Sequence, residues 1–218
     1  MHNNLNNLQE IIKEIHSKDN NQNNSVKIIA VSKTFSMEKI MPLIESGHIH
    51  FGENKVQEAQ TKWPNVIIQN RNVKLHMLGK LQTNKVKYAV ELFDYIHSVD
   101  SIKLAKKIDI EQKKINKNIK LFIQVNIDNE EQKNGIGLNE IETFHSHLVK
   151  EMKMNVIGLM CIPSLNSNTD IAFDRMRQMQ VKLGLSELSM GMSSDYLKAI
   201  KFGSTFVRIG SKIFGKRN

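Results

Sequence analysis

Eight short apolar runs, each followed by a stretch in which apolar residues recur at helical spacing, constrain this chain more than any other feature of it. The runs span residues 26–31, 49–51, 74–78, 95–98, 121–126, 156–161, 188–190 and 205–209. The helical stretches span 37–46, 53–62, 84–92, 102–115, 138–150, 171–183 and 195–202, with a short one after Ser211. Runs this brief and this apolar suit strands buried on both faces, and parallel strands of that kind need helical crossovers between them. The pattern predicts an α/β fold, and eight strand–helix units predict a single (β/α)8 TIM barrel. An open doubly wound sheet is the alternative. The glycine fingerprint that usually goes with such a sheet is missing after the first run, where Ser32-Lys33-Thr34 stands instead. The polar stretch 17–25 reads as a loop that follows an extra N-terminal amphipathic helix. No Pro/Gly/Ser-rich linker divides the 218 residues, so 1–218 is read as one domain.

Several function classes drop out on composition. No apolar run is long enough to cross a bilayer, and residues 1–10 lack the apolar core of a secretion signal. The chain is therefore expected in the cytoplasm, with no membrane partner. Cys161 is the only cysteine and sits between Met160 and Ile162, which excludes an internal disulfide and suits a core position. The formal charge of +9 raises the question of nucleic acid. Much of that excess falls within 103–120, interleaved with Ile and Leu at helical spacing and without stacking aromatics. A solvated helix face explains it, and no nucleic-acid partner is expected. His48 and His50 share a strand face by period, but no third ligand accompanies them, so they read as surface or loop residues and no metal site is assigned.

In either architecture ligands gather at the carboxyl ends of the strands, which makes the polar residues just after apolar runs the informative ones. Lys33 follows Ile28-Ile29-Ala30-Val31. Partial withdrawal from water there would disfavour its ammonium form and leave more free amine to attack an aldehyde. At the far end, Thr205-Phe206-Val207-Arg208-Ile209 leads into Gly210-Ser211, whose amides suit an anion. Gly191-Met192-Ser193-Ser194-Asp195 supplies the other half of such a seat, since barrels commonly bind phosphate on the loops after their last two strands. Ser193 could equally cap the helix that follows, with Asp195 complementing its dipole. Arg208 alternates with Val207 and Ile209, so if those face the helices it points into the barrel and needs an acceptor. A core carboxylate would serve. So would the ring nitrogen of a bound heterocycle, which beside an arginine would stay unprotonated and draw electrons weakly. His76 and Asn54 also sit near strand ends.

Taken together, these segments resemble the pyridoxal phosphate homeostasis protein family, whose fold is similar to the barrel domain of alanine racemases. The resemblance runs through Ala30-Val31-Ser32-Lys33-Thr34, Phe51-Gly52-Glu53-Asn54-Lys55-Val56-Gln57-Glu58 and Leu75-His76-Met77-Leu78-Gly79-Lys80-Leu81-Gln82-Thr83-Asn84-Lys85. It continues through Ile157-Gly158-Leu159-Met160, Leu188-Ser189-Met190-Gly191-Met192-Ser193-Ser194-Asp195 and residues 203–215. It implies pyridoxal 5′-phosphate as cofactor, held as a Schiff base on Lys33, with its phosphate on Ser193, Gly210 and Ser211. By the same resemblance Arg208 approaches the pyridine nitrogen, and Asn54 and His76 stand near the pocket. Members of the family resemble carriers or regulators of vitamin B6 without an established reaction. The resemblance thus implies a monomeric PLP carrier with PLP-dependent apo-enzymes as partners, no enzyme and no catalytic residue. The alternative is a small fold-type III PLP enzyme such as an amino-acid racemase. A racemase needs a second acid–base group, a tyrosine from a second domain, whereas here the strand–helix units use the entire chain.

Overall fold

Alternation along each strand and helical spacing between strands sort the side chains into two apolar layers. The structure is a computed structural model that describes residues 3–18, 26–130, 132–164 and 166–215. Eight parallel strands form its centre: β1 (Lys27–Val31), β2 (His50–Glu53), β3 (Lys74–Met77), β4 (Tyr95–Val99), β5 (Lys120–Asn126), β7 (Val156–Cys161), β8 (Glu187–Met192) and β9 (Phe206–Ile209). A two-residue strand, β6 (Ile136–Gly137), adds to the end of β5. The order β4-β3-β2-β1-β9-β8-β7-β5 closes through pairing of β4 with β5, which makes a barrel and removes the open-sheet alternative. First and last strands lie side by side, with Ile29 opposite Arg208.

Ala30, Leu75, Leu121, Leu159, Leu188 and Val207 face outward into a large apolar layer under the helices. Ile29, Phe122, Met160 and Phe206 fill the lumen in a second layer. Two glycines make room for that inner layer. A Cβ on Gly52 would come within 2.5 Å of Leu78 Cδ1, and one on Gly158 within 2.2 Å of the Glu187 carbonyl oxygen and 2.8 Å of the Phe122 ring.

The surrounding helices are α1 (Asn3–Lys18), α2 (Met37–Glu45), α3 (Val56–Lys62), α4 (Pro64–Gln69), α5 (Val86–Leu92), α6 (Ile102–Lys114), α7 (Ile141–Ser146), α8 (Thr169–Lys182), α9 (Tyr196–Lys201) and α10 (Ser211–Phe214). The extra N-terminal helix, α1, buries Leu8, Ile11 and Ile15 at helical spacing and packs on α2 and α10. It runs through Ser17 and Lys18, which were expected in a loop over 17–25; the rest of that stretch, 19–25, lies outside the described residues. Three helical expectations change. Glu53 belongs to β2 and is fully buried, so the helix expected over 53–62 starts at Val56. Pro64, at a position where a missing N–H costs nothing, restarts a separate helix that the apolar spacing did not reveal. The 138–150 stretch divides into a 3-10 turn (Leu138–Glu140), α7 and a π turn (His147–Glu151). On α6 three of the five lysines pair with acids of the same helix: Lys107 and Lys114 with Glu111, and Lys113 with Asp109.

Candidate functional site at the carboxyl-end mouth

Lys33 stands two residues beyond the end of β1, in a turn whose shape several buried groups hold. Thr34 next to it adopts φ +68°, a conformation that a β-branched residue takes only when its surroundings enforce it. Here the Thr34 amide donates to Glu58 Oε1 at 2.5 Å. The Lys62 ammonium donates to the carbonyls of Ser32 (2.9 Å) and Phe35 (3.2 Å), so it grips the turn on both sides of Lys33. Lys62 is in turn paired with the buried Glu53 carboxylate at 2.8 Å, and the same Glu53 oxygen accepts from Ser32 Oγ and Trp63 Nε1. Across the mouth, Phe35 stacks on Phe214 with ring centroids 4.9 Å apart.

Lys33 lines a cavity of about 520 Å3, within the range of small-molecule sites. Asn54, Ser193, Arg208, Gly210 and Ser211 line the same cavity. Asn54 comes from the loop after β2, whose backbone lies so close to Gly79 that a Cβ there would stand 2.3 Å from the Asn54 carbonyl oxygen. Ser193 lies in the turn after β8. The structure puts Asp195 at the cap position of α9, where its carboxylate accepts from the Met192 amide at 2.6 Å, so Ser193 does not cap that helix. Its hydroxyl instead accepts from the amides of Gly210 (3.3 Å) and Lys212 (3.4 Å), across the gap to the last loop. Bonds this long hold those donors loosely, and an anion beside Ser193 would engage them better.

Arg208 does point inward, since Val207 and Ile209 pack under the helices. Its acceptors are carbonyl and hydroxyl oxygens rather than the core carboxylate that was one of its two possible partners. Nη1 donates to the carbonyl (2.6 Å) and hydroxyl (2.8 Å) of Ser189, and Nη2 to the Cys161 carbonyl (2.8 Å). Burial pulls the guanidinium below its ordinary pKa, yet an arginine stays charged at neutral pH. Three bonds leave donor capacity in a group with five N–H. Cys161, beneath it, is a buried thiol pushed up to about 12 by desolvation, and so is an inert core residue rather than a nucleophile.

His76 falls outside this set. It is 0% exposed and sits deeper in the lumen, stacked on Tyr95 at 4.2 Å and bonded to other histidines, and it does not line the cavity. The reading of His50 as a surface or loop residue changes too, because its ring bonds to His76 at 2.9 Å. Among the described residues no group of three acids, histidines or cysteines is arranged to hold a metal ion. Sequence reasoning passed over His97 and Ser189, both buried in the lumen. For Ser189 a signal was present: it sits between the outward-facing Leu188 and Met190, the same alternation that singled out Arg208. His97 lies between Ile96 and the polar Ser98, so the alternation did not mark it.

The chain matches the family described as alanine racemase, N-terminal domain, over residues 4–218. A pyridoxal phosphate homeostasis protein of Haemophilus influenzae is 37% identical over 99% of this chain and 95% of its own. Structures of PipY from Synechococcus elongatus, one without PLP and one with PLP bound, superpose with TM-scores of 0.82 and 0.81 at 36% and 34% identity. Both cover 93% of this chain and 99% of PipY. Alanine racemase from Corynebacterium glutamicum shares the fold at 20% identity (TM-score 0.68), and the match covers 88% of this chain but 57% of the racemase.

Proposed function

Since this chain belongs to the pyridoxal phosphate homeostasis protein family, within the alanine racemase N-terminal domain family, we propose that it binds pyridoxal 5′-phosphate at the mouth of its barrel and serves intracellular vitamin B6 balance. One observation carries the reading: Lys33 from the first strand end and Arg208, Ser193, Gly210 and Ser211 from the last two wall a single cavity. The donor set suits the cofactor. When bound, pyridoxal phosphate supplies an aldehyde that condenses with an amine, releasing water, and a pyridine ring that can draw electrons.

Lys33 is the amine that holds the cofactor covalently. Ser193 and the amides of Gly210 and Ser211 would orient the phosphate, and Asn54 lines the same cavity. Arg208, which lines the same cavity, would offer the ring nitrogen a cation that has no proton to give and so would keep the ring's electron-drawing power low. This favours a carrier over an enzyme. A second acid–base group at the cavity would favour turnover, and no described tyrosine lines it. Tyr95 is stacked in the lumen, Tyr88 is exposed on α5, and the Tyr196 hydroxyl bonds to Glu14 and Lys212. The protein acts as a monomer in the cytoplasm and hands its cofactor to PLP-dependent apo-enzymes. No helix among the described residues is long and apolar enough to cross a membrane.

The purified protein mixed with pyridoxal phosphate is expected to show a violet-blue absorption band. Borohydride should trap the cofactor on the peptide containing Lys33, and Lys33→Ala should lose the band. A Lys33→Ala protein with the same band and stoichiometry would overturn the covalent assignment. Lys33-dependent exchange of amino-acid α-hydrogens in heavy water would overturn the carrier reading in favour of an enzyme.

A further inference from the structure

A line of polar side chains crosses a lumen otherwise filled with apolar ones. Arg208 Nη1 donates to Ser189 Oγ at 2.8 Å, and Ser189 Oγ lies 3.0 Å from His97 Nδ1. His97 Nε2 is 2.9 Å from His76 Nδ1, and His76 Nε2 is 2.9 Å from His50 Nδ1. Ser189, His76 and His97 are wholly buried, whereas His50, at the start of β2, is only part-buried at the opposite mouth of the barrel. Stacking locks the inner rings: His97 lies on Phe122 at 4.1 Å and 14°, and His76 on Tyr95 at 4.2 Å and 7°.

Proton positions along this line follow from its inner end. A guanidinium can only donate, so Ser189 Oγ is the acceptor there, and the hydroxyl proton goes to its remaining partner, His97 Nδ1. A neutral ring that accepts at Nδ1 carries its proton on Nε2 and donates from it. His97 therefore donates to His76, and His76 to His50. The reverse order would aim two donors at the Ser189 hydroxyl and deprive its own proton of that acceptor.

The rings stay neutral. Burial holds His76 and His97 well below the usual histidine value and His50 at about 4. The charged groups that act on them are cationic: Lys27, Lys74 and Lys120 near His50, and Arg208 beside His97. Glu187 and Asp94 reach the outer end only by pairing with Lys27 and Lys74. In this order every ring turns its lone-pair side toward Arg208.

We infer that Ser189, His97, His76 and His50 form a single-tautomer column that positions the Arg208 guanidinium beneath the cavity and couples the cavity to the opposite mouth of the barrel. The role toward the cofactor rests on the function proposed above; the column itself does not.

The test compares wild-type protein with His50→Leu, which removes the acceptor at the outer end, and His50→Gln, which keeps one. Both changes lie at a part-buried position outside the cavity. Long-range proton–nitrogen spectra of histidine-labelled, cofactor-free protein at neutral pH should show His50, His76 and His97 all protonated at Nε2. A ring protonated at Nδ1 in the wild type overturns the inference. In His50→Leu the His76 and His97 nitrogens should move toward mixed tautomers, whereas His50→Gln should retain the wild-type pattern. Titrated with pyridoxal 5′-phosphate, His50→Leu should bind about fivefold more weakly, with a shifted absorption maximum, and His50→Gln should not. A fall in melting temperature with unchanged ring nitrogens and unchanged band would reduce His50 to a packing residue and overturn the coupling. Should wild-type protein fail to bind the cofactor, the proposed function falls while the spectra still decide the column.

Discussion

At the residue scale, the most exacting arrangement lies behind Lys33 rather than on it. The Lys62 ammonium touches two carbonyls and two carboxylates, and its closest acid, Glu53, is 0% exposed. Removing one member of a buried ion pair strands the other charge, which commonly costs about 3 kcal/mol. Lys62→Met is therefore expected to lower stability by roughly that amount in urea denaturation and to weaken cofactor binding, because the turn on both sides of Lys33 loses its clamp. Unchanged stability would show that Glu53 finds another partner. Lys33 and Arg208 were readable from the chain because a lysine after an apolar run and an arginine within an alternating run are local patterns. The acceptors of Arg208 were not, since two of them are main-chain carbonyls, which every residue carries and which no sequence pattern marks.

At the element scale, the eight barrel strands were read to within two residues at each end, because eight buried runs stand out against polar flanks. Helix ends were read less well. The 53–62 expectation took Glu53 into a helix because a charged residue beside an apolar run looks like a boundary, whereas its carboxylate is buried among Ser32, Lys62 and Trp63. Parity also explains the glycines. Gly158 lies on β7 where any side chain would meet the Glu187 carbonyl at 2.2 Å and the Phe122 ring at 2.8 Å. The backbone contact cannot give way as a flexible side chain would. Gly158→Ala should therefore separate β7 from β8 and destabilise by about 2 kcal/mol, seen as a lower melting temperature. Gly184→Ala, where nothing stands within 4 Å of the added carbon but φ is +64°, should show backbone strain without crowding and cost less.

At the scale of the whole molecule, the buried histidines make stability depend on pH. His48 and His50 are each lowered to about 4, chiefly by desolvation, from the usual 6.5. The unfolded chain thus binds more protons than the folded one in the window between those values. Stability is fully present above about pH 6.5 and declines as pH falls toward 4, by up to about 3 kcal/mol for each of these two rings. His76 and His97, shifted the same way, carry the loss further into acid. Urea midpoints measured from pH 7.5 down to 4.5 should fall steadily; a flat profile would mean that these rings are already charged in the folded state or open to solvent.

The sequence by itself determined the alternation of strand and helix, the barrel count, the inward direction of Arg208 and the strand ends that bear Lys33 and Arg208. These depend on periodicity, which any short window of chain displays. Only the tertiary structure decided that β4 closes on β5, that Ser193 faces the last loop instead of capping a helix, and that His50, His76, His97 and Ser189 meet in one line. Each of those depends on the register of strands far apart in the chain, and register comes from how the two apolar layers pack together, which no local pattern records.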